Sequence, residues 1–269
     1  MSNTFNINRF GKYFKYDLFN ARNQFGLSLL ILGCLPIIAF VFTELFSVLF
    51  LQEWAGNVVP ARVLAIIAAV LVTIITFPAK AYGKLTEKKA GSNWILLPAS
   101  VFEKWLSMMI INMIVLPACL FGLLLLSDTL LALCFPAQYG NHLLSTEGFN
   151  MFKMMEPGDD NFSFNLSGVV FFDWCSNILI FTLGAIFFKK SKAGKTILCL
   201  FLFGCIVGSI FAAIFGTAEL DNDDLARIFR NWTINDAFRA INIFINSCYL
   251  IMMGLVSAAL YFRMKTIKH

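Results

Sequence analysis

Two histidines, His142 and His269, are all the chain offers for imidazole chemistry. A helical zinc site of the His-Glu-x-x-His type needs two histidines one turn apart, which this pair is not. Neither Gly-x-Ser-Gly nor Gly-x-Ser-x-Gly occurs, so no serine nucleophile sits on a glycine-flanked elbow. Gly194-Lys195-Thr196 ends like a Walker A phosphate loop. That motif needs a glycine five residues before Gly194, where Lys189 stands, and a strand before it. The plain reading is a tight basic loop. Seven cysteines, Cys34, Cys119, Cys134, Cys175, Cys199, Cys205 and Cys248, contain no Cys-x-x-Cys pair and read as small buried hydrophobes. The sequence therefore predicts no enzyme, no metal and no cofactor.

The other candidates are polar or small residues inside apolar runs. Asn112 lies in one such run, and Arg239, Asn242 and Asn246 share a helical face in another. Polar groups at membrane depth face protein or water rather than lipid. These four are candidate path-lining residues for a transported molecule, or simply make hydrogen bonds between helices. Gly204, Gly208, Ala212 and Gly216 recur every fourth residue. Small residues at that spacing let a second helix approach closely, either within this chain or from a second copy.

The elements that carry these residues are long and apolar. The 269 residues are 59% hydrophobic and 14% charged, with 30 phenylalanines, against about 45–50% and about 25% in soluble domains. Six apolar runs cover roughly 26–51, 58–79, 105–133, 169–188, 195–217 and 238–262. Each has about 20 residues or more, enough for a helix to cross a ~30 Å hydrocarbon core. The expectation is an all-α, polytopic membrane protein of six transmembrane helices forming one domain, residues 1–269. The first run is too long for a signal-peptide core, which predicts no cleaved signal.

Charge sets the orientation. Arg9, Lys12, Lys15 and Arg22 precede the first run; Lys80, Lys84, Lys88, Lys89 and Lys104 separate the second and third. Lys189, Lys190, Lys192 and Lys195 separate the fourth and fifth, and Arg263, Lys265 and Lys268 follow the sixth. By the positive-inside rule both termini are cytoplasmic. The basic balance thus marks one membrane face, not a nucleic-acid partner. Ile7, Phe10, Phe14, Leu18, Ala21 and Phe25 form one helical stripe, predicting an N-terminal amphipathic helix in the interface. The opposite side holds a long acidic loop, 134–168, with Asn-x-Ser sequons at Asn161 and Asn165. It also holds a short amphipathic helix over 220–237, with a third sequon at Asn231.

Between the second and third runs lies "KKAGSNWILLPASVFEKW", residues 88–105. Ser92 can cap a short helix that Pro98 stops, and Ser100-Val-Phe-Glu103 has the capping-box spacing that starts the third span. A short helix rigidly joined to a span suits a mechanical contact with a cytoplasmic partner. It equally suits an interfacial anchor, with Trp94 and Trp105 in the headgroup belt. The stretch resembles the loop after the second span in permease subunits of ABC exporters of the type-2 family. Those read as a charged segment, Gly-Thr or similar, a leucine-rich turn, Leu-Pro-x-Ser and then a lysine. The matching positions are Glu87, Gly91-Ser92, Leu96-Leu97-Pro98-Ala99-Ser100 and Glu103-Lys104. The six-span layout with an amphipathic N-terminal helix is similar too, although 220–237 is more charged and 134–168 longer than in that family.

The resemblance implies a bacterial inner-membrane permease that pairs with a second copy or a paralogue. Each permease docks on a separately encoded ABC ATPase. Residues 88–100 would be the ATPase-coupling segment, with Lys88, Gly91, Ser92, Trp94, Leu97, Pro98, Ser100 and Glu103 as its characteristic positions. Trp94 and Leu97 are the apolar groups expected to enter a partner groove. ATP would bind the partner, not this chain. Two rivals belong to other classes: a six-span sensor or accessory protein that transports nothing, and a self-standing secondary carrier.

Overall fold

A computed structural model describes residues 5–52, 54, 58–86, 91, 94, 96–140, 166–217 and 234–267. All the regular structure among them is helical, and six of the helical segments are long and apolar enough to cross a membrane. The chain is a multi-pass α-helical membrane protein. The loop around Asn161 and Asn165, the segment around Asn231 and both histidines lie outside the described residues.

Span one is a continuous helical stretch, Ile7–Leu51, assembled from α1 (Ile7–Gly33), α2 (Leu35–Phe46) and a π-helical turn (Ser47–Leu51). At ~1.5 Å per residue it is about 67 Å long, twice the hydrocarbon thickness. The amphipathic segment is therefore continuous with the span. Nothing between Phe25 and Leu27 breaks the backbone: Gly26 stays helical, and the interruption waits for Cys34, two residues before Pro36. The stripe also sits differently from the sequence expectation. The buried positions are Tyr13, Asp17, Ala21 and Phe25, one helical row, whereas Ile7 is exposed. That row packs on α3 (Val59–Ala81), which forms span two, and on α4 (Val101–Ile110), which opens span three.

Span three continues through a π turn, Ile111–Val115, into α5 (Leu116–Cys134). Pro117 explains the widening. It has no N–H for the carbonyl four residues back, and the Leu116 N–H bonds instead to the Ile111 carbonyl. A short helix, α6 (Pro136–Tyr139), follows. Span four is α7 (Leu166–Phe187), span five α8 (Lys192–Thr217) and span six α9 (Ile234–Thr266).

α7 is the hub. It packs against α3, α8 and α9, and Cys175, Ile178, Leu179, Thr182 and Ile186 are fully buried. In its apolar window 56% of residues are buried, against 6% in spans five and six. Span five faces mostly outward, which suits lipid or a second subunit, whereas span six lies along α7 and buries Leu260 and Met264 in the core while its other face is exposed.

Candidate functional site

The lysine-rich end of the bundle is where the connecting segment meets the first and third spans. Ser100 caps α4, its hydroxyl accepting from the Glu103 N–H at 3.2 Å. The Ser100 N–H donates to Glu103 Oε2 at 2.8 Å, which completes the capping box. The same carboxylate reaches across the fold. Arg9 on α1 donates Nε to Oε2 at 2.8 Å and Nη2 to Oε1 at 2.7 Å, and the Asn6 N–H adds a bond of 3.0 Å. A two-pronged guanidinium–carboxylate contact fixes direction as well as distance. Glu103 is fully buried, so it is a joint between α1 and α4 rather than a surface that a partner touches.

Trp94 turns inward as well. Its indole N–H donates to the Tyr13 hydroxyl at 3.1 Å, and its carbonyl accepts from Lys104 Nζ at 2.7 Å. The Lys104 ammonium also lies 4.4 Å from the Trp94 ring centroid, a cation–π contact. Leu97 lines the wall of a cavity behind the segment. Trp94 and Leu97, expected to offer themselves to a partner, are thus turned into the protein. Among the described residues of the segment, the large apolar side chain that does project is Leu96, 75% exposed. Gly91, Trp94 and Leu96 have helical backbone, Gly91 is buried and Pro98 exposed; Lys88 and Ser92 lie outside the described residues. A further tie holds this end together: Lys192, which opens α8, donates its ammonium to the Gly83 carbonyl at the end of span two.

The chain matches no protein-family model, no curated protein and no solved structure.

The residues considered for a path do not converge. Asn112, fully buried, donates to the Thr182 hydroxyl at 3.0 Å, and its carbonyl accepts from the Trp174 indole at 3.3 Å. It bonds spans three and four together. Asn246 donates to Asn242 within α9 at 3.2 Å, while Arg239 is exposed. The row Gly204, Gly208 and Ala212 is exposed along α8, and a Cβ on Gly204 or Gly208 would meet nothing within 4 Å. Of the two uses considered for that row, packing within the chain is therefore not seen among the described residues. The close approaches are made elsewhere. A Cβ on Gly33 would overlap Leu123, and one on Gly184 would overlap the Thr196 side chain.

All seven cysteines are free, including Cys134 and Cys175. Only Cys175 is buried; the other six face outward. Apolar sulfur side chains are tolerated at a lipid-facing surface, so membrane location removes the burial expected of a soluble protein.

One polar cluster has no counterpart in the sequence reading. Arg62 on α3 and Asp128 on α5 are both buried and lie 2.7 Å apart, and the Tyr139 hydroxyl donates to Asp128 at 2.8 Å. The Arg62 guanidinium also stands 4.8 Å from the Tyr139 ring centroid. Glu44 on α2 is likewise buried. Each of these charges sits within an apolar run as an isolated residue, and isolated charges give no spacing signal. A scan for every charge inside a run, paired across runs by sign, would have found Arg62 and Asp128.

Proposed function

We propose that the chain is the membrane-spanning permease subunit of a bacterial ABC exporter, lying in the inner membrane with both termini cytoplasmic. It couples ATP hydrolysis by a separate ABC ATPase to substrate export and carries no ATP chemistry itself. The observation that carries this reading is the connecting segment between spans two and three. It is tied to α1 through Trp94–Tyr13, and the start of span three is tied to α1 through Glu103–Arg9. Yet it leaves Leu96 uncovered at the lysine-rich end. A push on Leu96 would therefore be transmitted to two spans at once. The positive-inside distribution supports the cytoplasmic placement of that end. The outward face of span five, with Gly204, Gly208 and Ala212 exposed on it, supports a second permease, a copy or a paralogue, packed on that side.

The test is copurification in mild detergent. Burial of one leucine is worth about 1.5–3 kcal/mol, and ~1.4 kcal/mol is a factor of ten in affinity. Leu96→Asp is on the surface, so the protein should insert normally and lose its ATPase by at least about ten-fold in retained amount. An intact complex after Leu96→Asp removes the coupling role. A chain that carries no ATPase at all favours the sensor or accessory reading.

A further inference from the structure

Behind the connecting segment is a cavity of about 230 Å³, smaller than the ~300 Å³ at which drug-sized sites begin. Its walls come from three elements: Tyr13, Tyr16 and Asp17 on α1, Tyr82 and Lys84 at the end of span two, and Trp94 with Leu97 on the connecting segment. The chemistry of those walls is specific. Asp17 is buried, and its Oδ2 accepts from the Ser107 hydroxyl at 2.7 Å. No other hydrogen bond or ion pair to Asp17 is made by the described residues, so a second carboxylate oxygen remains for a ligand. The Tyr82 hydroxyl is also buried and has no hydrogen-bond partner among the described residues. A buried carboxylate flanked by tyrosine rings matches an organic ammonium, through charge on one side and ring faces on the others. Lys84 is exposed where it meets the cavity. A cation there opposes a simple amine but suits a ligand with an anionic group beside its ammonium.

We propose that this cavity binds a zwitterionic phosphoethanolamine group, its ammonium against Asp17 and the tyrosines and its phosphate at Lys84. The group has two natural sources, the headgroup of phosphatidylethanolamine and the free small molecule. The site rests on its own residues and does not depend on the chain docking an ATPase. Because Trp94 and Leu97 form one wall, an occupant would brace the connecting segment against α1.

Two probes separate the sources. Purified full-length protein in detergent is titrated with free phosphoethanolamine. The same protein in nanodiscs of phosphatidylethanolamine or phosphatidylglycerol is released into the gas phase, and retained lipid is read by native mass spectrometry. Saturable binding of the free molecule, selective retention of phosphatidylethanolamine, or both, is expected. Asp17→Asn should weaken whichever is seen by about ten-fold or more, the size of a charge-assisted hydrogen bond. Should Asp17→Asn fail to fold, Lys84→Gln takes its place, since that side chain is exposed. It should abolish the preference for phosphoethanolamine over ethanolamine and lower the retention of phosphatidylethanolamine. Neither probe binding in the wild type overturns the proposal. So does binding that is undiminished in Asp17→Asn, or a preference that survives Lys84→Gln.

Discussion

Arg9 and Glu103 stand 94 positions apart, yet they form a two-pronged side-chain contact at the lysine-rich end. Half of that joint was legible: the spacing of Ser100 and Glu103 announces a capping box, and the box is present. The partner was not, because residues that meet only through tertiary packing leave no local pattern. The same holds for Asp17. It is absent from the apolar stripe read along this helix, yet it lies in the buried row with Tyr13, Ala21 and Phe25. Arg62 and Asp128 are the sharper case, since a charge in an apolar run is expensive and must have a reason. Removing one partner of a buried pair strands the other, at a cost of about 3–5 kcal/mol. Asp128→Asn should accordingly lower the detergent melting temperature markedly. The double change Arg62→Met with Asp128→Leu should regain most of the loss, as apolar replacement of a buried pair is often near neutral. A melting curve for Asp128→Asn that overlays the wild type would show that the pair contributes nothing to stability.

Helices and spans were the most legible level. Six apolar runs predict six membrane-crossing helices, and six are found. Length and hydropathy suffice here because a backbone in hydrocarbon must satisfy its own hydrogen bonds. Which face of each helix is covered was less legible. The row Gly204, Gly208, Ala212 and Gly216 reads as a packing groove, but Gly204, Gly208 and Ala212 are exposed, and among the described glycines close neighbours are met at Gly33, Gly83 and Gly184. A small residue shows that approach is allowed, not that a neighbour comes. Gly184→Ala should therefore destabilise the single chain by about 1–3 kcal/mol, the usual cost of overpacking, because Thr196 and with it α8 must move. Gly208→Leu should leave the melting temperature of the single chain unchanged and reduce cross-linked dimer where the row meets a second subunit. The reverse ranking in a melting series, with Gly208→Leu the more damaging, would mean that α8 packs within its own chain.

At the scale of the molecule, the distribution of Lys and Arg predicts that the joint at Arg9, Glu103 and Trp94 faces the cytoplasm. Single cysteines can be placed in a background lacking the native seven and challenged in intact cells with an impermeant thiol reagent. Lys12→Cys and Lys190→Cys should stay unlabelled and Ala137→Cys should react; all three positions are exposed. Strong labelling at 12 or 190 would invert the orientation and place the connecting segment outside, out of reach of ATP. The proposed coupling role depends on what touches Leu96, the one large apolar side chain that the described part of the segment leaves uncovered. Replacing Leu96 with a photoreactive phenylalanine analogue, irradiating living cells and identifying the adduct by mass spectrometry measures that contact directly. The account predicts a single dominant adduct to a soluble protein with an ATP-binding cassette. A photoreactive side chain that inserts and folds normally yet captures only lipid would contradict it.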